Sequence, residues 1–151
     1  MTSTTTLFTP TAATPMSSHW RDFLALAKPG VVRLVVFTGL CGMLAAPGSI
    51  NPVLGFAAIL SIALAAGGAA AFNQWYEADL DAQMKRTARR PIPAGRVAPK
   101  DARDFAALLC GISVLVMGLA IGWLAASILV VSIFYYVVVY TMWLKPRTPQ
   151  N

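Results

Sequence analysis

Apolar residues in this chain occur in long, nearly unbroken runs. No charged side chain falls within the stretch from Leu34 to Tyr76, and none falls within the stretch from Phe105 to Leu144. Runs of this length are typical of helices that cross a bilayer, each of which needs about 20 mainly apolar residues. Turn residues divide the runs into four predicted spans, at roughly 31–46, 52–72, 105–124 and 128–144. The pattern therefore predicts an all-α polytopic membrane protein with four transmembrane helices.

The segments around these spans predict the rest of the architecture. Residues 1–21 are rich in Thr, Ser, Ala and Pro and are predicted to form a disordered tail, so that the membrane domain is 22–151. A short interfacial helix is predicted at 22–28. The second span is predicted to continue as helix to about Met84, followed by a Pro-rich loop at 84–100. A tight turn is predicted at 122–127.

Charge predicts how the chain lies in the membrane. Only 12% of the residues are charged, about half the share of a soluble domain, and the formal net charge is +6. Seven Lys and Arg residues lie in the central connection, Lys85–Arg103, and none lies in the other two connections. The positive-inside rule then places both ends and the central loop in the cytoplasm. With no secretory or transit signal, a bacterial inner membrane is predicted. The basic residues are clustered in the predicted cytoplasmic segments and are not spread over one face, which argues against a nucleic-acid partner.

Three oxygen-bearing side chains lie where the second span ends. Asn73, Glu77 and Asp81 are spaced by four residues, so a helix places them on one stripe. Carboxylate and amide oxygens are the ligands that a hard cation such as Mg²⁺ prefers. The spacing therefore predicts a magnesium site at the cytoplasmic mouth of this span. Asp79 is an accessory candidate. It lies about 200° around the helix from Glu77, so it either faces another partner or requires a local break in the helix.

Basic residues follow this stripe directly. The candidates for gripping the oxygens of a diphosphate group are Lys85, Arg86, Arg89 and Arg90. The alternative is an ordinary helix end, with solvated acids and an ion pair between Asp81 and Lys85 four residues on. Ionisable residues at the mouth of a membrane span are costly unless they serve a cavity, which favours the site.

Small residues fill the second half of the same span, at 65–71. Such a run lets a neighbouring helix approach closely, which is its usual role in membranes. It also leaves room for an apolar chain beneath the charged groups. Both alternatives stay open on the sequence alone.

The motif Asn73-x-x-x-Glu77-x-x-x-Asp81 resembles the first aspartate-rich motif of the intramembrane prenyltransferase superfamily, whose usual form is N-D-x-x-D-x-x-x-D. Gln74 stands at its second position, and the middle carboxylate is Glu77. The run at 81–97, which includes Arg86, Arg90 and Arg96, resembles the branch that farnesylates haem. Segments 26–39 and 140–151 agree with that branch, and the similarity covers about 22–151.

The resemblance implies a bundle of about nine helices around a lipid-open cavity, of which this chain would supply about half. It implies farnesyl transfer from farnesyl diphosphate to a vinyl group of haem B, giving haem O, with Mg²⁺ as cofactor. A second aspartate-rich motif is expected but absent from this sequence, so the chain is expected to be an inactive amino-terminal part. The implied surroundings are the lipid bilayer and, as candidate partners, the haem A synthase or the terminal oxidase assembly machinery.

Two alternatives remain beside this expectation. One is another polyprenyltransferase of the superfamily, acting on a quinone precursor or chlorophyllide. The other is a fragment of a non-enzymatic transporter or assembly factor. Transporters place charges and helix breaks near the midplane of the membrane, whereas the charges here lie at its cytoplasmic mouth.

Overall fold

The computed structural model describes residues 19–144, and within that range the chain forms helices and turns without a strand. The tail prediction for 1–18 and the last part of the resemblance, at 145–151, lie outside the described residues. The helices are α1 (Trp20–Leu26), α2 (Pro29–Ala45), α3 (Pro52–Tyr76), α4 (Ala78–Gln83), α5 (Pro99–Ala120) and α6 (Trp123–Phe134). α6 continues directly into a π-helical segment, Tyr135–Leu144.

The helices confirm the predicted all-α membrane architecture. Three of them are long and apolar enough to cross a bilayer by themselves: α3, α5, and α6 with its π-helical continuation. α2 has 17 residues and forms a bent pair with α1, with 56° between the two axes, so that the pair makes a fourth candidate span.

The predicted boundaries differ from the observed ones at several helix ends. α1 begins at Trp20, so the last residues of the predicted tail are helical, and α5 begins at Pro99, before the span predicted from Phe105. Polar residues at these ends extend the helices beyond their apolar parts. The predicted turn at 122–127 is shorter, because Gly122 alone adopts the positive φ of 134° that reverses the chain. Trp123 then begins α6 and packs over Gly118.

The predicted continuation of the second span to about Met84 is interrupted. α3 ends at Tyr76, and Glu77 has φ −91° and ψ 7°, outside the usual helical values. α4 then begins at Ala78 and ends at Gln83, and Met84 is extended. A local break, one of the two alternatives predicted for Asp79, is therefore present, at Glu77.

α1 meets α2 at a corner formed by Lys28. This residue adopts the left-handed conformation, with φ 49°, and Pro29 follows as the first residue of α2. A non-glycine residue in this conformation costs about 1–3 kcal/mol and persists only where its surroundings hold it. Gln74 of α3 supplies part of that support, since its side-chain Nε2 donates to the carbonyl oxygens of Ala25 at 3.2 Å and Leu26 at 2.9 Å. α3 thereby satisfies the terminal carbonyls of α1.

The loop between α4 and α5 packs on an apolar base. Its Ile92 and Val97 are buried against α1, α3 and α5, in a cluster completed by Leu26, Ala71, Ala102 and Ala106. Burying a side chain such as that of Val97 contributes roughly 1.5–3 kcal/mol. Successive backbone hydrogen bonds, such as those from the amides of Arg96 and Val97 to the carbonyl of Pro91, close the loop into turns. The arginines of this loop therefore project from a folded support.

Candidate functional site

The three predicted metal ligands remain one helical turn apart despite the break in the helix. The amide of Glu77 donates to the carbonyl of Asn73 at 3.1 Å, and the amide of Asp81 donates to the carbonyl of Glu77 at 2.8 Å. These i→i+4 bonds carry the helical register through the break. All three residues are buried, with exposed fractions of 2% for Asn73, 7% for Glu77 and 1% for Asp81. We call them the Asn73–Glu77–Asp81 stripe.

The amide of Asn73 is held from two sides. Its Oδ1 accepts a hydrogen bond of 2.6 Å from Lys28 Nζ at the α1–α2 corner. Its Nδ2 lies 3.5 Å from Thr141 Oγ1, which is buried in the π-helical segment and donates to the carbonyl of Tyr136. Segments of π-helix are often found at functional sites. Here the segment brings a side chain from the far end of the described chain to the stripe.

Asp81 is paired with an arginine of the loop rather than with Lys85. Arg90 Nη1 lies 2.6 Å from Asp81 Oδ2, and the side-chain exposures of the two residues are 28% and 2%. Thr87 Oγ1 donates to the backbone carbonyl of Asp81 at 3.0 Å. The predicted i→i+4 alternative with Lys85 is not the observed pairing, because the helix ends at Gln83 and the chain turns back at Met84.

Three of the four predicted diphosphate ligands line one pocket beside the stripe. Its volume is about 380 Å³. We call it the basic pocket, and it is lined by Ala25, Lys28, Gln74, Arg86, Arg89, Arg90, Pro91 and Arg96. Five of these eight residues are cationic, so the pocket suits a phosphate-bearing ligand. Lys85 is the exception among the predicted ligands: it is exposed and does not line the pocket.

Arg96 joins the loop to α1 at the edge of the basic pocket. Its Nε lies 2.7 Å from Asp22 Oδ1, and its Nη2 donates to the carbonyl of Arg89 at 3.2 Å. The hydrogen bond from the Arg96 guanidinium to Asp22 holds the pKa of the Asp22 carboxyl below its usual value. One arginine thus ties α1 to the backbone of a neighbouring pocket residue.

The structure also shows which site residues the sequence prediction omitted or misplaced. Asp79 is exposed on α4, apart from the three buried residues of the stripe. Lys28 and Gln74 belong to the site, although Lys28 was predicted only as part of a short interfacial helix and Gln74 only as a departure from the motif. The available signal for Lys28 was a cation directly before Pro29 at the start of a span.

An apolar cavity of about 450 Å³ extends along α3 away from the stripe. Four of the five residues of α3 that line it are alanines, Ala65, Ala66, Ala69 and Ala70, and the fifth is Ile62. Other lining residues come from α2, α5, α6 and the π-helical segment, among them Val35, Met117, Ile128 and Tyr136. Gly67 and Gly68, by contrast, face close neighbours, Ala27 and Cys110. Both alternatives for the small-residue stretch are therefore realised, on different faces of α3.

The donors of the stripe suit a hard cation in type and spacing. They are two carboxylates and one amide oxygen, all buried and successive along one face. Within residues 19–144 no group of three or more His, Cys, Asp or Glu side chains is gathered for a metal ion. The predicted magnesium site therefore combines the amide of Asn73 with the carboxylates of Glu77 and Asp81.

These features define a class of protein: an all-helical membrane protein in which the Asn73–Glu77–Asp81 stripe and the basic pocket lie at one end of an apolar cavity. The chain belongs to the UbiA prenyltransferase family, whose model matches residues 34–151. This finding confirms the resemblance seen in the motifs. No solved structure matches the chain.

Three curated relatives of high identity carry the same name. The chain is 64% identical over 143 residues to the protoheme IX farnesyltransferase of Erythrobacter litoralis, covering 93% of this chain and 47% of the relative. It is 67% identical over 136 residues to that of Novosphingobium aromaticivorans, covering 90% and 45%. For Rhizobium etli the identity is 59% over 131 residues, covering 87% and 42%. The chain thus spans about half the length of these relatives.

Proposed function

We propose that this chain supplies the first diphosphate-binding half of a protohaem IX farnesyltransferase, which transfers a farnesyl group from farnesyl diphosphate to a vinyl group of haem B to give haem O. The observation that carries the proposal is the placement of the buried Asn73–Glu77–Asp81 stripe beside the basic pocket and at one end of the apolar cavity. A polar head and an apolar tail, the two parts of an isoprenyl diphosphate, each have a matching environment.

The charged groups account for the leaving-group chemistry. Asn73, Glu77 and Asp81 would hold Mg²⁺, which when bound neutralises charge on a diphosphate. Arg86, Arg89 and Arg90 face the same pocket and grip phosphate oxygens through their guanidinium groups. Negative charge develops on the diphosphate as the allylic carbon–oxygen bond breaks. Cations that are already in place stabilise this charge at little reorganisation cost.

The apolar cavity accounts for the rest of the substrate. Ala69 precedes Asn73 by one helical turn, so the cavity begins directly beside the stripe. Its alanine-lined wall leaves space for an isoprenoid chain, and the side chains around it exclude water from the reacting carbon. An allylic cation formed there is shielded from hydrolysis until the vinyl group attacks.

Haem as the acceptor is proposed from the relatives, whose names specify protoheme and farnesyl transfer. Another acceptor, such as a quinone precursor, is the rival within the family. The transporter alternative lacks support, because the charged groups lie at a helix end rather than halfway along a span.

The test is a chimera in which this chain replaces the matching 136 residues of the Novosphingobium aromaticivorans relative. Membranes carrying it are assayed with farnesyl diphosphate and either haem B or an aromatic acid as acceptor. We expect haem O from haem B and no prenylated aromatic acid. The reverse preference would assign the chain to another branch of the family.

Within the chimera, Glu77→Gln tests the stripe. Losing one carboxylate of the proposed metal site should lower kcat by about a hundredfold or more, while the protein keeps its amount in the membrane. Asp79→Asn is the matched control, since this carboxylate is exposed on α4. Near-normal turnover in Glu77→Gln would remove the role assigned to the stripe.

A further inference from the structure

Two of the oxygens assigned to the metal are each bonded to a cation of the protein itself. Lys28 Nζ lies 2.6 Å from Asn73 Oδ1, and Arg90 Nη1 lies 2.6 Å from Asp81 Oδ2. These cations come from different elements, the α1–α2 corner and the α4–α5 loop. They also share a second property, since both line the basic pocket. Each cation is therefore placed between a proposed metal ligand and a proposed phosphate site.

A metal ion cannot simply be added to this arrangement. An ion held by Asn73 Oδ1 and Asp81 Oδ2 would lie within a few ångströms of the Lys28 ammonium and the Arg90 guanidinium. Like charges at that distance repel strongly in a site shielded from water. Mg²⁺ alone would also add two further positive charges beside the two cations.

Diphosphate offsets this positive charge. It brings negative charge into a pocket that Lys28 and Arg90 already line together with Arg86, Arg89 and Arg96. Both cations can then exchange a ligand oxygen of the stripe for a phosphate oxygen. Neither has far to move, because the same side chains border both sites.

We propose that Lys28 and Arg90 are exchange cations, which hold the Asn73 and Asp81 oxygens until metal and diphosphate bind together and then transfer to the diphosphate. The inference rests on the proposed function, because it assumes that the stripe binds a divalent metal. It has two consequences beyond that function. Metal alone binds weakly, and metal and diphosphate bind cooperatively because each removes the obstacle to the other.

Lys28 is an appropriate exchange group because its backbone and its ammonium are held separately. The αL corner is supported by Gln74, which donates to the carbonyls of Ala25 and Leu26. The four-carbon side chain then moves the ammonium without moving the helix corner. Arg90 likewise projects from a loop that is packed through Ile92 and Val97. Both supports allow a side-chain movement within a fixed frame.

The experiment measures metal and pyrophosphate binding without catalysis. The full 151-residue chain in lipid nanodiscs is titrated with Mn²⁺, followed by electron paramagnetic resonance, with and without inorganic pyrophosphate. The variants are Lys28→Met and Arg90→Met, which remove charge with little change in length. Arg103→Met is the matched control, because Arg103 pairs with Asp104 on the surface of α5.

The expected effects have opposite signs. Lys28→Met and Arg90→Met should each bind Mn²⁺ alone about tenfold more tightly, because a competing like charge is gone. Each should bind pyrophosphate about tenfold more weakly in the presence of Mn²⁺, because a phosphate ligand is gone. Arg103→Met should change neither affinity.

The outcomes separate this inference from the proposed function. If the unmodified chain binds no Mn²⁺ even with pyrophosphate, the proposal of a metal site is wrong, and the exchange proposal that depends on it is wrong as well. If the unmodified chain binds both but the variants do not gain Mn²⁺ affinity, only the exchange is wrong. Removing Arg90 leaves a buried carboxylate unpaired. If Arg90→Met does not fold, the Lys28 variant decides alone, since the Asn73 amide that accepts from Lys28 is neutral.

Discussion

At the scale of single residues, the site depends on two adjacent amides that perform different tasks. The Asn73 side chain faces Lys28, while the Gln74 side chain faces the last carbonyls of α1. The usual motif has Asp at the position of Gln74. A carboxylate cannot donate to a carbonyl oxygen, so it could not hold the corner in this way. Gln74 is therefore a structural adaptation of the motif in this chain.

Gln74→Met should loosen α1 from α3. The substitution keeps the size of the side chain but leaves the carbonyls of Ala25 and Leu26 without their donor, at a cost of about 1–3 kcal/mol. Hydrogen exchange followed by mass spectrometry should show faster exchange of the α1 amides. Gln83→Met is the control, since Gln83 is exposed and bonds only within α4. Equal protection of α1 in both variants would contradict this role.

The sequence predicted that the three residues of the stripe share one face, but it predicted only part of their surroundings. The spacing of Asn73, Glu77 and Asp81 follows from the helical period, which is local, and backbone bonds preserve it through the break at Glu77. The cation that donates to Asn73 is Lys28, 45 residues earlier. That pairing depends on how α1 and α2 meet α3, which no local pattern determines. Lys85 does not line the basic pocket, because the helix that carries the stripe ends before it, at Gln83.

At the scale of elements, the close approach of α3 and α5 positions the site. A Cβ atom on Gly68 would lie 2.6 Å from Cys110 Sγ, 3.0 Å from the carbonyl oxygen of Ala106 and 3.1 Å from the amide of Cys110. Two of these three atoms belong to the backbone of α5, so a change of side-chain rotamer cannot relieve the contact. Small residues at such positions allow helix backbones to approach in membranes.

Gly68→Ala should therefore push the two helices apart and destabilise the protein by about 1–3 kcal/mol, as overpacked core substitutions do. A lower midpoint of thermal unfolding in detergent, followed by circular dichroism, would show it. Gly111→Ala on α5 is the matched control, because a Cβ at Gly111 meets no atom within 4 Å. In that helix position alanine is expected to be neutral or mildly stabilising. A midpoint for Gly68→Ala that matches the control would mean that the helices accommodate the methyl group.

Element boundaries show where hydropathy stops being informative. The apolar runs predicted the parts of α3 and α5 that would lie in a bilayer, but the helices continue into charged sequence, where α5 begins with Pro99, Lys100 and Asp101. The π-helical segment was predicted only as apolar span, since its hydrogen-bond pattern has no signature in hydropathy. The contact of Thr141 with Asn73, which follows from this segment, could therefore not be predicted from hydropathy and is seen only in the structure.

At the scale of the whole molecule, charge and apolar volume are separated along one axis. The stripe and the basic pocket lie at the carboxyl end of α3, and the apolar cavity borders the preceding turns of the same helix. An amphipathic substrate can bind both regions only if its head approaches from the side of the α4–α5 loop. The orientation of the chain in the membrane is therefore part of the proposed function.

Cysteine labelling tests that orientation. Ala94 lies exposed in the α4–α5 loop, and Ser49 lies exposed in the uncharged turn between α2 and α3. The basic loop should remain in the cytoplasm by the positive-inside rule. Ala94→Cys should therefore react with a membrane-impermeant maleimide only in inverted vesicles, and Ser49→Cys only in spheroplasts.

The unmodified chain measures the background from Cys41 and Cys110, which lie within α2 and α5. The two engineered positions control each other, because each membrane preparation should label one and spare the other. A reversed pattern would place the basic pocket on the outer face of the membrane. There it could not receive a diphosphate made in the cytosol, and the reversed pattern would contradict the proposed function even if the acidic stripe bound metal as expected.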